Sequence, residues 1–180
     1  MRDRTDDLVE RLNQAARTDA LTGLLNRRAF DESIEQEIAR AERTQRTFAV
    51  LLGDLDRFKE INDRYGHPAG DATLILVGQV LKGATRSVDT VARVGGDEFA
   101  LLLPESDEEQ GWVLVERLRR YLSDALVDHP PEVGLSIGLV VYPRDGQTAE
   151  ALQASVDKAL YAAKQPEPGR TRRGRSRPTP

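Results

Sequence analysis

Residues 92–103 read Ala92-Arg-Val-Gly-Gly-Asp-Glu-Phe-Ala-Leu-Leu-Leu103, two glycines and then two carboxylates between apolar runs. Ala92–Val94 and Phe99–Leu103 have the composition of paired strands, and Gly95-Gly96 suits a tight hairpin turn that needs positive φ. Acidic side chains just past such a turn lie where a hard cation can be held beside a bound phosphate. An ordinary solvated hairpin tip would carry the same residues, so the rest of the chain has to decide between the two.

Upstream, Thr47–Gly53 is a short continuous apolar run that reads as a buried strand ending at Asp54. Asn26 is placed to cap a helix to about Arg43, with Phe30, Ile34 and Ile38 on one stripe. Helices are predicted at about Asp56–Tyr65 and Ala69–Arg86, between that strand and the hairpin. Downstream, Val115, Leu118, Leu122 and Leu126 mark a helix starting near Asp107; Gly134–Tyr142 reads as a strand and Ala149–Lys164 as a closing helix. Helices mixed with strands around an internal hairpin indicate an α/β sandwich built on one sheet. Leu8, Leu12 and Ala15 give Thr5–Ala16 a helical pattern, either the end of a longer connecting helix or a packed N-terminal one.

The chain has 180 residues, 39% hydrophobic and 31% charged, which is enough for one domain with a real core. Its apolar stretches fall short of the ~20 residues of a membrane span, and Met1–Asp7 lacks an apolar signal-peptide core. With no cysteine and two histidines, disulfides and thiolate metal sites are excluded and zinc is disfavoured. A cytoplasmic location is the expectation. Five arginines and no acid fall in Pro168–Pro180; the remainder carries 21 bases against 30 acids, a charge of −9. The predicted division is a linker or signalling helix at 1–17, a folded domain at 18–166 and a disordered basic tail at 167–180. The tail can solubilise the chain or touch an anionic surface, while the acidic body argues against nucleic acid as the main partner.

Asp54-Leu55-Asp56 directly follows a strand, and the C-terminal edges of strands are where folds of this class place ligands. Mg²⁺ takes about six oxygens, several of them from water and substrate phosphates, so Asp54 with Asp97 and Glu98 can form a half-site. Asp56 also fits as a helix cap before Phe58. On the following helix Phe58, Ile61 and Tyr65 share one face, with Lys59 and Asn62 at its edge. Lys59 can reach a phosphate and Asn62 can hydrogen-bond a base in both directions. Asp71, after Gly66-His67-Pro68-Ala69-Gly70, suits either a helix N-cap or the N1–H and N2–H groups of guanine.

Five ordered segments together resemble the GGDEF domain of the diguanylate cyclase family, over about residues 18–164. They are Thr18-Asp-Ala-Leu-Thr-Gly-Leu-Leu-Asn-Arg-Arg-Ala-Phe30, the segment Asp54–Asp71, Gly95-Gly-Asp-Glu-Phe99, Ser136-Ile-Gly138 with Pro143-Arg-Asp-Gly146, and Asp157-Lys-Ala-Leu-Tyr-Ala-Ala-Lys164. The resemblance implies a central, mainly antiparallel sheet of about five strands flanked by helices, like nucleotidyl cyclase and polymerase palm domains. It implies condensation of two GTP into cyclic di-GMP and two pyrophosphates, with Mg²⁺ or Mn²⁺, by a homodimer governed by an upstream sensor domain or partner. The implied metal ligands are Asp54, the Leu55 carbonyl, Asp97 and Glu98, with Asp97 the candidate base for the ribose 3′-OH. Lys59 and Lys164 would stabilise phosphate charge, Asn62 and Asp71 would read guanine, and Phe58, His67, Gly95 and Gly96 would complete the substrate site.

Arg86-Ser-Val-Asp89 resembles the family's product-binding inhibitory motif, although an Arg-x-x-Asp spacing is also that of a common surface ion pair. One departure follows Lys164. Where the family commonly has two residues and then Gly-Arg-Asn, this chain has Gln165-Pro-Glu-Pro-Gly-Arg170, which predicts an early helix end, an Arg170 short of the phosphates and reduced turnover. The rival reading is a catalytically weak or inactive module that binds GTP or cyclic di-GMP and regulates a partner. ATP as substrate is a third, which Asp71 disfavours.

Overall fold

A computed structural model describes residues 17–126 and 133–165. The helix expected over Thr5–Ala16 and the basic tail both lie outside the described residues. In chain order the elements are α1 (Arg27–Thr44), β1 (Phe48–Asp56), α2 (Phe58–Tyr65), α3 (His67–Ala84), β2 (Thr90–Arg93), β3 (Glu98–Pro104), α4 (Glu108–Ala125), β4 (Gly134–Tyr142) and α5 (Ala149–Lys164).

The four strands form one fully antiparallel sheet in the order β2-β3-β1-β4, an α+β architecture. This corrects the expected strand number from about five to four. Only four described segments carry a strand's apolar run; the other pairings outside them are isolated bridges at Thr18–Leu25 and Leu25–Ala92. β1 is central, bonded to β3 from Phe48 opposite Pro104 to Asp54 opposite Glu98, and to β4 from Phe48 opposite Tyr142 to Asp56 opposite Gly134.

Both faces of the sheet are covered, which explains why β1 reads as an unbroken apolar run and not as an alternation. Successive side chains point to opposite faces. Ala49, Leu51 and Leu55 therefore pack with Phe99, Leu101, Ile137 and Leu139 under α3 and α4. Phe48, Val50 and Leu52 pack with Ala100, Leu102, Val140 and Tyr142 under α1 and α5. The caps are local and readable. Asn26 accepts the Ala29 N–H at 3.0 Å. Asp107 and Gln110 form a reciprocal capping box, and Thr148 accepts the Ala151 N–H at 3.2 Å.

Several local expectations are corrected. Gly95 and Gly96 do not adopt positive φ; among the described glycines only Gly23 and Gly66 do. β2 ends at Arg93 and β3 starts at Glu98, so four residues close the hairpin, and the Val94 and Gly95 N–H groups both donate to the Glu98 carbonyl. A loop of that length has no need of a two-residue mirror-image turn. α3 starts at His67, so Asp71 lies inside the helix and is not its N-cap. The link between α2 and α3 is Gly66 alone, at φ +84°, a value a side chain would make costly. Asp56 ends β1 and does not cap α2; Arg57 holds that position in a left-handed conformation, while Asp56 accepts the Ser136 hydroxyl at 2.7 Å.

On the outer edge of β4, Asp145 Oδ2 accepts the Val141 N–H at 2.7 Å and pairs with Arg144 at 2.8 Å. Those contacts, the Arg144 guanidinium first, hold the Asp145 carboxyl below its usual range. They also occupy part of a strand edge that would otherwise invite pairing. Among the described residues, no helix is long and apolar enough to cross a membrane.

Candidate nucleotide and metal site

The C-terminal end of β1 and the start of β3 lie side by side, and this brings the acidic residues of two distant segments together. The Leu55 N–H donates to the Asp97 carbonyl at 3.0 Å, tying the hairpin loop to the Asp54-Leu55 peptide. α5 runs back over the sheet so that its last residue reaches the same point, and Lys164 Nζ is 2.9 Å from Asp54 Oδ2. Asp54, Leu55, Asp97, Phe58, Lys59 and Lys164 line one open cavity of about 1160 Å³. Burial, and then the nearby Asp54 charge, push the Asp97 carboxyl above its ordinary range, against the pull of Lys164 and Arg93.

Two carboxylates that repel each other at one open cavity fit a hard divalent cation. No group of three or more His, Cys, Asp or Glu converges for a metal among the described residues. Asp54 and Asp97 are thus an open donor pair for a divalent cation and not part of a closed cage of protein ligands among the described residues.

The other expected residues, Asn62, His67, Asp71, Gly95, Gly96 and Glu98, do not line this cavity. Glu98 shares the Asp54 face of the sheet, but its carboxylate turns back across Gly95 to within 3.8 Å of Arg27 Nη2, and it is not among the cavity-lining residues. Gly96 offers its carbonyl to Arg93 at 2.7 Å, and Arg93 also pairs with Asp19 at 3.2 Å, so the loop is clamped from the N-terminal side. Asn62 is half-buried on α2, facing α3, while Asp71 and His67 are exposed on α3.

Arg86 and Asp89 lie apart from this centre, lining a second cavity of about 280 Å³ with Ser106 and Arg117. The two are paired at 2.9 Å, and Arg86 also reaches the Ser106 hydroxyl at 2.9 Å. Sequence reading missed Arg117. Its Nε is buried without a hydrogen-bond partner, and it sits three residues after Leu114, at the border of the apolar stripe of α4. That border position was the available signal.

The family model described as "Diguanylate cyclase, GGDEF domain" matches residues 16–170. The chain belongs to that family. Its GGDEF segment, Gly95–Phe99, is the hairpin loop and the start of β3. The chain is 43% identical over 155 residues to the bifunctional diguanylate cyclase/cyclic di-GMP phosphodiesterase MucR of Pseudomonas aeruginosa, covering 85% of this chain and 23% of that one. It is 39% identical over 157 residues to the diguanylate cyclase DgcM of Escherichia coli, covering 87% and 38%. This GGDEF domain therefore spans well under half the length of either relative. The coiled coil and GGDEF domain of DgcB from Caulobacter crescentus, solved in complex with c-di-GMP, superposes with a TM-score of 0.84 at 28% identity, covering 89% of this chain and 87% of that one.

Proposed function

We propose that this GGDEF domain is a diguanylate cyclase, joining two GTP into cyclic di-GMP with release of two pyrophosphates. The observation that carries the proposal is the convergence of Asp54, Asp97, Lys59 and Lys164 on one cavity at the end of β1. In each half-reaction the ribose 3′-oxygen of one GTP attacks the α-phosphorus of the other. The new O3′–P bond forms as the bond to the pyrophosphate oxygen breaks, and Asp97 accepts the hydroxyl proton. Asp54, Asp97 and the Leu55 carbonyl would hold Mg²⁺ or Mn²⁺, which when bound supplies Lewis-acid neutralisation of the triphosphate.

Lys59 and Lys164 bring positive charge to the phosphates, placed before the transition state needs it. Asn62 and Asp71 read the guanine edge, with Phe58, His67 and the Gly95-Gly96 loop around the nucleotide. Glu98, held by Arg27, sets the loop behind Asp97. One domain offers one half-site, so two copies face each other, each supplying its nucleotide to the other.

The test is purified protein with GTP and Mg²⁺, products resolved by chromatography, over a range of protein concentrations. Cyclic di-GMP should form with a rate per molecule that rises with concentration until the dimer saturates. No product from nucleotide-free, demonstrably dimeric protein would transfer the domain to the second reading, a nucleotide-binding regulatory module. The end of α5 at Lys164, with Gln165 already extended, favours that alternative; Arg170 lies outside the described residues.

We further propose that Arg86 and Asp89, with Arg117 beside them, bind the product and inhibit turnover. Guanidinium groups match phosphodiester oxygens and a guanine edge. Arg86→Ala should raise the cyclic di-GMP concentration for half-inhibition by about tenfold or more. Inhibition equal to that of the unmodified protein would sink the idea.

A further inference from the structure

We infer that Gly70 is the positioning residue that fixes the Asn62 amide for guanine, an inference that rests on the guanine-site reading above. Gly70 is the fourth residue of α3 and is buried. Glycine weakens a helix interior relative to alanine, so its presence there calls for a cause. Its backbone is ordinary helix, not the positive-φ conformation found at Gly66, so conformational freedom is not that cause. The cause is a close approach. A Cβ at Gly70 would overlap Asn62 Oδ1 outright and sit 3.0 Å from Asn62 Cγ and 3.2 Å from Phe58 Cζ.

The missing methyl group is therefore the space that the Asn62 amide occupies. The amide lies against the α3 backbone immediately before Asp71, the other residue assigned to guanine. Gly66 is the single-residue link between α2 and α3, so the two helices that meet at this approach are joined directly. A methyl group at position 70 evicts the amide by a side-chain rotation, because the atom it meets is the end of a side chain and not backbone. The helix itself can stay in place. Gly70 thus acts on base recognition without touching the reacting atoms.

The experiment compares Gly70→Ala, Asn62→Ala and the double variant by steady-state kinetics with GTP, thermal denaturation, and equilibrium dialysis of GTP against ATP. Gly70→Ala should raise KM for GTP about tenfold, the worth of a lost base contact, with kcat within about twofold and the melting temperature retained. In the Asn62→Ala background the same change should leave KM within about twofold, because the amide it displaces is gone. An unaltered KM in Gly70→Ala, or an equal rise on both backgrounds, overturns the inference while wild-type guanine preference leaves the functional reading intact. A wild type that binds GTP no better than ATP overturns both. If Gly70→Ala does not fold, recovery of folding in the double variant supports the clash with Asn62, and failure of the double variant to fold overturns it.

Discussion

Replacing Asp97 by alanine should lower cyclic di-GMP formation by at least about a thousandfold, since on the proposed mechanism it removes both a cation ligand and the proton acceptor from one cavity. Loss of fold is not the expected cause. The Asp97 carboxyl is raised by burial and by Asp54. Its folded pKa therefore lies above the unfolded value of about 3.9, and the ionised form costs the native state stability at neutral pH. Removing the group should leave the melting temperature at pH 7 equal to or above that of the parent. This difference should vanish below about pH 4, where the carboxylate is protonated in both states. Acidification should also slow the parent enzyme from a pH above the ordinary aspartate range, most steeply at sub-saturating Mg²⁺, where protons and cation compete for the same oxygens. Parallel pH–rate and melting curves for Asp97→Ala and the parent check all of this. Residual activity within tenfold of the parent would remove Asp97 from the chemistry.

The second large effect is on stability. Gly138→Ala should destabilise the domain by about 3 kcal/mol, and more if α5 cannot shift, because the added methyl group has nowhere to go. Gly138 lies on β4 opposite Leu52. A Cβ there would sit 2.7 Å from the Val156 carbonyl oxygen and 2.9 Å from the Ala159 carbonyl carbon, and would overlap the Leu160 nitrogen. These are backbone atoms of α5, so no rotamer change relieves the contact, unlike that at Gly70. For a domain of this size the melting temperature should fall by roughly 6–12 °C. Because α5 carries Lys164 to Asp54, activity should fall even where the variant is still folded. A melting temperature within about two degrees of the parent would show that strand and helix can separate more easily than their packing implies.

These two sites also show what the sequence made legible. Asp97 stood out because two glycines and two carboxylates between apolar runs are unusual, and strand ends attract ligands. β4 and α5 were readable to the residue, since Gly134–Tyr142 is an apolar run and Ala149–Lys164 carries a helical stripe. Asn26 announced its helix through a side-chain cap, and Val115, Leu118 and Leu122 announced the helix after Asp107 through their stripe, signals confined to near neighbours in sequence.

Signals between distant residues were not readable in the same way. Gly138 was visible as part of a signature, but its reason lies in the backbone of a helix some twenty residues on. Gly95 and Gly96 invited a local explanation, positive φ, which the four-residue loop does not use. The Gly95 neighbour is the Glu98 side chain folded over it. Arg117 drew no reading from the sequence; it lines one cavity with Arg86 and Asp89, residues brought to it from another segment. The strand number failed for a related reason: it came from a likeness to whole domains and not from a fifth apolar segment of this chain.

Asp54 and Lys164 meet on the face of the sheet covered by α1 and α5, while Lys59 and Asn62 come from α2, whose Phe58 packs with the opposite core. Neither layer holds enough of the site to work alone. The proposed chemistry is thus a logical AND over the two halves of the molecule: opening of either layer should silence it before the chain has globally unfolded.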